Sequence, residues 1–416
     1  MRKILANRGL RLIFAANMIS MIGSGMNSAA VTWYLLQTTG TEIALGWLLV
    51  LQTIPAMALM PLSGVMIDRE DRRHIVMMLD AGRGLIILLI AVLALMHRVQ
   101  VWQLYAMAIL VAIGFWMFWP TVTALIQELT PETDFVHSNT FLMAGVQGGW
   151  VLAGAFVGFV YNHIGLGGVL LIDFFTYVAS FSCYLFVRHG RHVVHHPMRE
   201  EIVEVEHSVA RYFHEMREGL RYVRQRKFLV LLATSWAMFL GGMLTNSVIT
   251  APLSDRILHA GAEGYGWLNM GWATGAVISV FFTAWTVRKI GARSTIAITM
   301  LAIALAWYIA PFIPILAVGV ALYSIGGAAR GMAGVALSST LMETVPKHFM
   351  GRVQNTIYFA GTSLQLFLGL SVGVVAHRIG LALAFAMVAT VYFAGFVAAL
   401  IPAEPITITR ADATNA

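Results

Sequence analysis

Leu381-Ala-Leu-Ala-Phe-Ala-Met-Val-Ala-Thr-Val-Tyr-Phe-Ala-Gly-Phe-Val-Ala-Ala-Leu-Ile401 carries no charged residue and is apolar on every face. A helix needs about 20 such residues to cross the hydrocarbon core of a bilayer. The stretch from Gly84 to Met96 has the same character. Lipid offers no hydrogen bonds, so every backbone donor and acceptor must be satisfied within the chain, which leaves helix bundles and closed barrels. Barrel strands alternate in polarity over roughly 10 residues, and these runs do not. The expected fold class is an all-α membrane protein. Of 416 residues, 59% are hydrophobic and 11% charged, with a mean hydropathy of +0.77. Soluble chains carry about 25% charged residues, so the composition is not that of a soluble enzyme.

At about 20 apolar residues per span, the sequence predicts twelve transmembrane helices. The first six cover 10–37, 43–67, 74–96, 101–127, 138–162 and 166–187; the second six cover 227–254, 264–287, 294–312, 314–342, 350–376 and 380–401. This divides the chain into a six-helix bundle over 1–187, a cytoplasmic linker with an amphipathic helix over 188–226, a second bundle over 227–401 and a cytoplasmic tail over 402–416. In the linker, Val205, Val209, Tyr212, Phe213, Met216, Leu220 and Val223 have helical apolar spacing among charges, which suits a helix lying on the membrane face or on the protein.

Charge placement sets the topology. Arg2, Lys3, Arg8 and Arg11, the 2/3 loop with Arg69, Arg72 and Arg73, the 8/9 loop with Arg288, Lys289 and Arg293, and the linker lie on one face, against Arg98, Arg256 and Arg378 on the other. The Lys/Arg-rich face is the cytoplasmic one, so both termini are expected in the cytoplasm of a bacterial inner membrane. The N-terminal apolar run is too long for a signal-peptide core and is expected to remain as helix 1. The net charge of +7 is dispersed between spans, which points to membrane topology and not to nucleic acid. Cys183 is the single cysteine and has no internal disulfide partner. The linker histidines His189, His192, His195 and His196 lack a carboxylate or cysteine at fixed spacing, so a solvated linker is favoured over a metal site. No cofactor is expected, and no G-x-x-x-x-G-K-[ST] loop occurs, which argues against direct driving by ATP.

An internal repeat joins the two bundles. Glu128-Leu-Thr-Pro131 recurs as Glu343-Thr-Val-Pro346, Asn139-Thr140 and Ala144-Gly145 as Asn355-Thr356 and Ala360-Gly361, and His163-Ile-Gly-Leu166 as Arg378-Ile-Gly-Leu381. The matches keep their order, so the halves are predicted to be parallel repeats related by an axis along the membrane normal, with substrate taken between them.

The second predicted helix ends in Gly64-Val-Met-Ile-Asp68-Arg69-Glu-Asp-Arg72-Arg73. This resembles the G-x-x-x-D-R-x-x-R-R signature of the major facilitator superfamily, at the family's position in the 2/3 loop. The resemblance extends to the drug:proton antiporter branch that holds macrolide-efflux proteins and the enterobactin exporter. It is carried by Ser20-x-x-Gly23, Trp33, Thr39-Gly40, Pro55 before Pro61, Asp80-x-x-Arg83, Asp173 and Glu218-Gly-Leu-Arg-Tyr-Val223. Ser24 stands where the branch often has an acidic residue, Gly154-Ala155-Phe-Val-Gly158 replaces its G-P-x-x-G stretch, and the second copy of the loop motif is eroded to Ala284 through Arg293. The resemblance implies two pseudo-symmetric six-helix halves and a monomeric secondary transporter whose partners are protons, membrane lipids and a small-molecule substrate. Gly64, Asp68, Arg69, Arg72 and Arg73 are then a conformational latch. Asp68 is expected to face the N-terminus of helix 11 near Met350 and Gly351, where free N–H groups favour an anion, and Arg72 to pair with Glu128 or Asp134.

Ionisable residues inside the bilayer mark function by default. Asp80 and Arg83 share a helical face and can pair, as a structural cluster or as part of proton coupling. Asp173 has no charged neighbour on its own helix, which makes it the better candidate proton carrier, with a hydrogen-bonded structural aspartate as the alternative. Arg330 is the cation near the middle of a span that lines the cleft in this family, and is expected either to meet an anionic group or strong acceptor on the substrate or to be a structural arginine bonded to backbone carbonyls around Gly326-Gly327 and Gly331. Asn17, Asn27, Gln52, Trp116, Gln147, Trp150, Asn246, Asn269, Trp272, Tyr358 and Gln365 are further cavity candidates by the resemblance, each equally able to pack between helices. The expected function is proton-coupled export of an amphipathic small molecule. A lysolipid translocator of the same fold is the alternative, and a non-transporting sensor a more distant one.

Overall fold

The computed structural model describes residues 7–59, 71–130, 135–187 and 199–403. Its helices in chain order are α1 (Arg8–Thr39), α2 (Glu42–Leu59), α3 (Arg72–Leu95), α4 (Val101–Leu129), α5 (Phe135–Leu185), α6 (Arg199–Arg224), α7 (Lys227–Pro252), α8 (Gly261–Ile290), α9 (Ala292–Ile309), α10 (Leu316–Thr344), α11 (Lys347–Arg378) and α12 (Leu381–Leu400). A π-helical turn, Leu253–Ile257, follows α7, and a 3-10 turn, Ala310–Phe312, follows α9. α5 is two spans joined at Gly165, whose φ of 62° and ψ of −170° no helix accommodates. Glycine alone adopts that conformation without strain. With α6 on the linker, the described residues form twelve helical segments outside it, the number of spans the sequence predicts. Among the described residues, ten helices are individually long and apolar enough to cross a bilayer, and Glu42–Pro55 is a shorter apolar helix.

The outer surface is apolar: Val280 is 71% and Phe281 77% exposed, which suits lipid and not water. Burial supplies little attraction between helices in lipid, so close packing of small residues substitutes for it. A Cβ at Gly271 would lie 2.8 Å from the Val320 carbonyl oxygen, and one at Gly327 would collide with the Trp272 carbonyl. α8 and α10 therefore meet backbone to backbone.

The chain forms two compact units, Met1–Thr38 with Leu51–Ala210, and Thr39–Val50 with Arg211–Ala416. In the first, Leu10, Ile13, Phe14, Val76, Phe118, Val122 and Tyr184 form a buried core between α1, α3, α4 and α5. The second takes in the first turns of α2, which a division at residue 187 does not anticipate. The reason is again glycine: a Cβ at Gly46 would lie 2.6 Å from the Gly369 carbonyl oxygen, and one at Gly373 2.7 Å from that of Glu42. α2 and α11 can approach this closely only without those side chains.

Of the two placements open to the amphipathic linker helix, the second half of α6 takes the protein surface. Gly219 sits against the Arg352 backbone of α11, the Thr356 hydroxyl donates to the Met216 carbonyl at 3.1 Å, Glu218 pairs with Arg352 at 3.2 Å, and Tyr222 stacks on Phe349.

Candidate functional site

The first unit buries a connected set of charged and polar side chains. Asp80 and Arg83, three residues apart on α3, form an ion pair at 2.5 Å, with both side chains at most 1% exposed. The second oxygen of Asp80 accepts from the Ser180 hydroxyl at 2.6 Å, and Arg83 Nε donates to the Leu79 carbonyl at 3.2 Å. The guanidinium lies 4.4 Å from the Phe118 ring centre and 4.7 Å from that of Tyr177, two cation–π contacts that offset part of its desolvation. Gly114 makes room for it, since a Cβ there would lie 2.8 Å from Arg83 Cγ and Cδ.

Asp173, on the second span of α5, is also wholly buried. Its Oδ2 accepts from Asn27 Nδ2 at 2.8 Å, and the Thr176 hydroxyl lies 3.3 Å from Oδ1. Tyr177, one position further on, shares a hydrogen bond with Ser24 at 3.0 Å. Asp173 is thus not isolated, as its own helix suggests: Asn27 comes from α1, and Arg83 and Asp80 lie within electrostatic reach. Among the described residues no cation pairs with it directly. A proton added to Asp173 leaves no partner stranded, whereas one added to Asp80 strands Arg83. Of the two buried carboxylates, Asp80 is ion-paired and Asp173 is held by neutral donors.

The second unit holds Arg330 on α10 in different company. Its Nη2 points at the Met243 sulfur at 3.2 Å, its carbon centre lies 6.0 Å from the Trp272 ring, and its Nε is buried without a partner. Trp272 stacks on Trp307 at 5.7 Å and an interplanar angle of 13°.

The other cavity candidates divide. Asn17 is tied to the Ile13 carbonyl and the Tyr184 hydroxyl, and Asn269 to the Tyr265 carbonyl. Asn246 accepts from the Thr250 hydroxyl at 3.3 Å, Tyr358 lies beside Trp236, and Gln365 is buried. Trp116 and Trp150 are 38% and 41% exposed, and Gln52 is half-buried. The Gln147 side chain lies outside the described residues, as do Gly64, Asp68 and Arg69 of the loop motif.

The rest of that motif is placed. Arg72 meets Glu128 at 3.5 Å, while Asp134 lies outside the described residues. Arg73 donates to the Tyr184 and Leu185 carbonyls, both at 2.7 Å, and so caps the C-terminal end of α5, where carbonyls lack intrahelical donors. The eroded second copy retains this function. Arg293, second in α9 as Arg73 is second in α3, donates to the Ala399 and Leu400 carbonyls at 2.7 and 3.1 Å, and to that of Ile401.

One cluster escapes a reading of the sequence. Glu42, at the start of α2, is fully buried against Arg256 at 2.5 Å and His377 at 3.5 Å, and Arg256 also donates to the Gly40 carbonyl at 2.9 Å. The separate helix ends that supply these residues give no local signal. Among the described residues no group of histidine, cysteine or carboxylate side chains is arranged to hold a metal.

Comparison with known proteins agrees with this architecture. The chain is 24% identical to the MFS-type transporter YfiS of Bacillus subtilis, over 91% of its own length and 89% of the relative's. It is 23% identical to the multidrug efflux pump Tap of Mycolicibacterium fortuitum, over 94% and 95%. Macrolide efflux protein A of Streptococcus pyogenes matches at 24% over 55% of this chain and 54% of its own. Among solved structures, the nucleoside transporter NupG superimposes with a TM-score of 0.73 at 12% identity, covering 94% of this chain and 100% of NupG. A bacterial homologue of the iron transporter ferroportin in its inward-facing state gives 0.72 at 14%, covering 95% and 99%. These neighbours share the fold. The family model of the Major Facilitator Superfamily matches residues 13–254, and the chain, a multi-pass membrane transporter related to efflux proteins, belongs to that superfamily.

Proposed function

We propose that the protein exports an amphipathic small molecule across a bacterial inner membrane by alternating access, with both termini cytoplasmic, and that protons bound at Asp173 drive the cycle. The observation that carries the reading is a fully buried carboxylate held by the neutral donors Asn27 and Thr176, beside a second carboxylate already committed to Arg83. Loading and unloading a proton at Asp173 changes the buried charge without breaking an ion pair. The efflux relatives support the outward direction, and Arg330 supports a substrate bearing an anionic group or strong acceptor.

A growth and accumulation screen of a deletion strain against siderophores, macrolides and lysolipids identifies the substrate. In liposomes, that substrate is expected to move protons through the parent and not through Asp173→Asn, which retains substrate binding. Proton movement undiminished in Asp173→Asn removes the residue from the mechanism. Lipid flipping with no soluble substrate moved would replace export by lipid translocation.

A further inference from the structure

The linker helix α6 docks on α11 through Met216, Gly219 and Tyr222. Helical spacing carries Phe213, Arg217, Leu220, Arg221 and Arg224 together onto the side turned away from that contact. All five are exposed, Phe213 by 50% and Leu220 by 44%. Glu218 is engaged by Arg352 at 3.2 Å and lies 3.4 Å from His214, and Glu215 is half-buried. Among the described residues no carboxylate pairs with Arg217, Arg221 or Arg224. The neighbours of α6 fix where this face lies. Only Gln225 and Arg226 separate α6 from α7, which starts at Lys227, and α6 runs beside the first turns of α11, from Phe349 to Thr356. α11 has 32 residues, about 48 Å at 1.5 Å per residue, against a hydrocarbon core of about 30 Å. Its first turns carry Arg352, Gln354 and Asn355, so they stand in the headgroup layer, and α6 stands beside them.

We infer that this face of α6 binds anionic phospholipid, with the lipid phosphates on Arg217, Arg221 and Arg224 and the upper acyl segments against Phe213 and Leu220. Water leaves the two apolar side chains uncovered, and hydrocarbon strands the three arginines. The headgroup layer suits both, since arginine lays its apolar stem along the acyl boundary and sends its charge to the phosphates. Basic residues clustered beside a span select anionic lipid in this way. A second copy of the chain, meeting this face with its own, sets three arginines against three. The inference goes beyond the export reading and does not rest on it, because lipid contact is measured without transport.

Fluorescence quenching on the full-length chain in phosphatidylcholine vesicles tests it. With Cys183→Ser removing the native thiol, a nitrobenzoxadiazole label is placed on Leu220→Cys and, in a second protein, on Phe281→Cys, which is 77% exposed within α8. Quenching by spin-labelled phosphatidylglycerol is compared with quenching by spin-labelled phosphatidylcholine at the same fraction of lipid. Each arginine near an anionic surface favours contact about fivefold, so phosphatidylglycerol is expected to gain at least about a tenfold advantage at Leu220→Cys and none at Phe281→Cys. Potassium chloride at about 1 M, which shortens the screening length to about 3 Å, is expected to abolish the advantage. Joint replacement by Arg217→Gln, Arg221→Gln and Arg224→Gln is expected to abolish it as well, while Arg217→Lys, Arg221→Lys and Arg224→Lys together keep it. Absence of quenching at Leu220→Cys, equal quenching by the two lipids, or the same preference at Phe281→Cys overturns the site. So does a preference that survives the three glutamines or is lost with the three lysines. Quenching that falls as more protein is packed into each vesicle gives the face to a second copy of the chain, and overturns the lipid assignment.

Discussion

Two arginines within spans, Arg83 buried in the first unit and Arg330 half-buried in the second, keep different company. Arg83 has a carboxylate at 2.5 Å, a backbone acceptor and two aromatic faces. Arg330 has a thioether and an indole 6.0 Å away. Both lie within spans, where an unpaired arginine costs about 2.5 to 3.5 kcal/mol on insertion scales. The first unit offsets most of that cost with a carboxylate, although Arg83 Nη1, like Arg330 Nε, is buried without a partner. The second offsets less of it, with a thioether and an indole in place of a carboxylate. What separates the two arginines is a carboxylate: Arg83 has one at 2.5 Å, and among the described residues Arg330 has none.

The sharpest way to break this contrast is to remove one charge from each side. Asp80→Asn strands Arg83 and is expected to destabilise the protein by about 3–5 kcal/mol, read as a large fall in unfolding temperature in detergent. Arg330→Met removes a guanidinium whose one hydrogen-bond acceptor among the described residues is a thioether, and is expected to leave stability unchanged or raise it by about 1–3 kcal/mol. Similar losses in both variants would show that Arg330 is as structural as Arg83.

Glu42 lies between these extremes, fully buried but paired with Arg256 and His377, whose side chains are 40% and 38% exposed. Water can take over those partners, so Glu42→Gln is expected to cost only about 2 kcal/mol. Unfolding by denaturant in the same detergent measures it, and a loss matching that of Asp80→Asn would mean that exposure of the partners does not matter.

The smallest effects are expected at the two capping arginines. Arg73→Gln leaves buried carbonyls at the end of α5 and is expected to cost about 1.5 kcal/mol. Arg293→Gln exposes its carbonyls to solvent and is expected to cost less than about 1 kcal/mol. Side-by-side thermal unfolding ranks them, and a reversed order would undo the equivalence drawn between the two copies.

Much of this was legible in the chain itself. Lipid forces backbone hydrogen bonding inward, so apolar runs of sufficient length specify helices, and their number, the repeat and the loop motif specify the superfamily. The spacing of Asp80 and Arg83 specified their pairing, because three residues on a helix return to one face. Periodicity reports which face a residue occupies, but not what another helix brings to that face. Only the tertiary structure could join Asn27 to Asp173 across α1 and α5, bring Arg256 and His377 to Glu42, give Arg293 the role of Arg73, and set Arg330 beside the Met243 sulfur and not a carboxylate. Each of these depends on side chains distant in sequence meeting where helices cross, and those crossings are set by glycines such as Gly46, Gly327 and Gly369, whose importance lies in the backbone they admit.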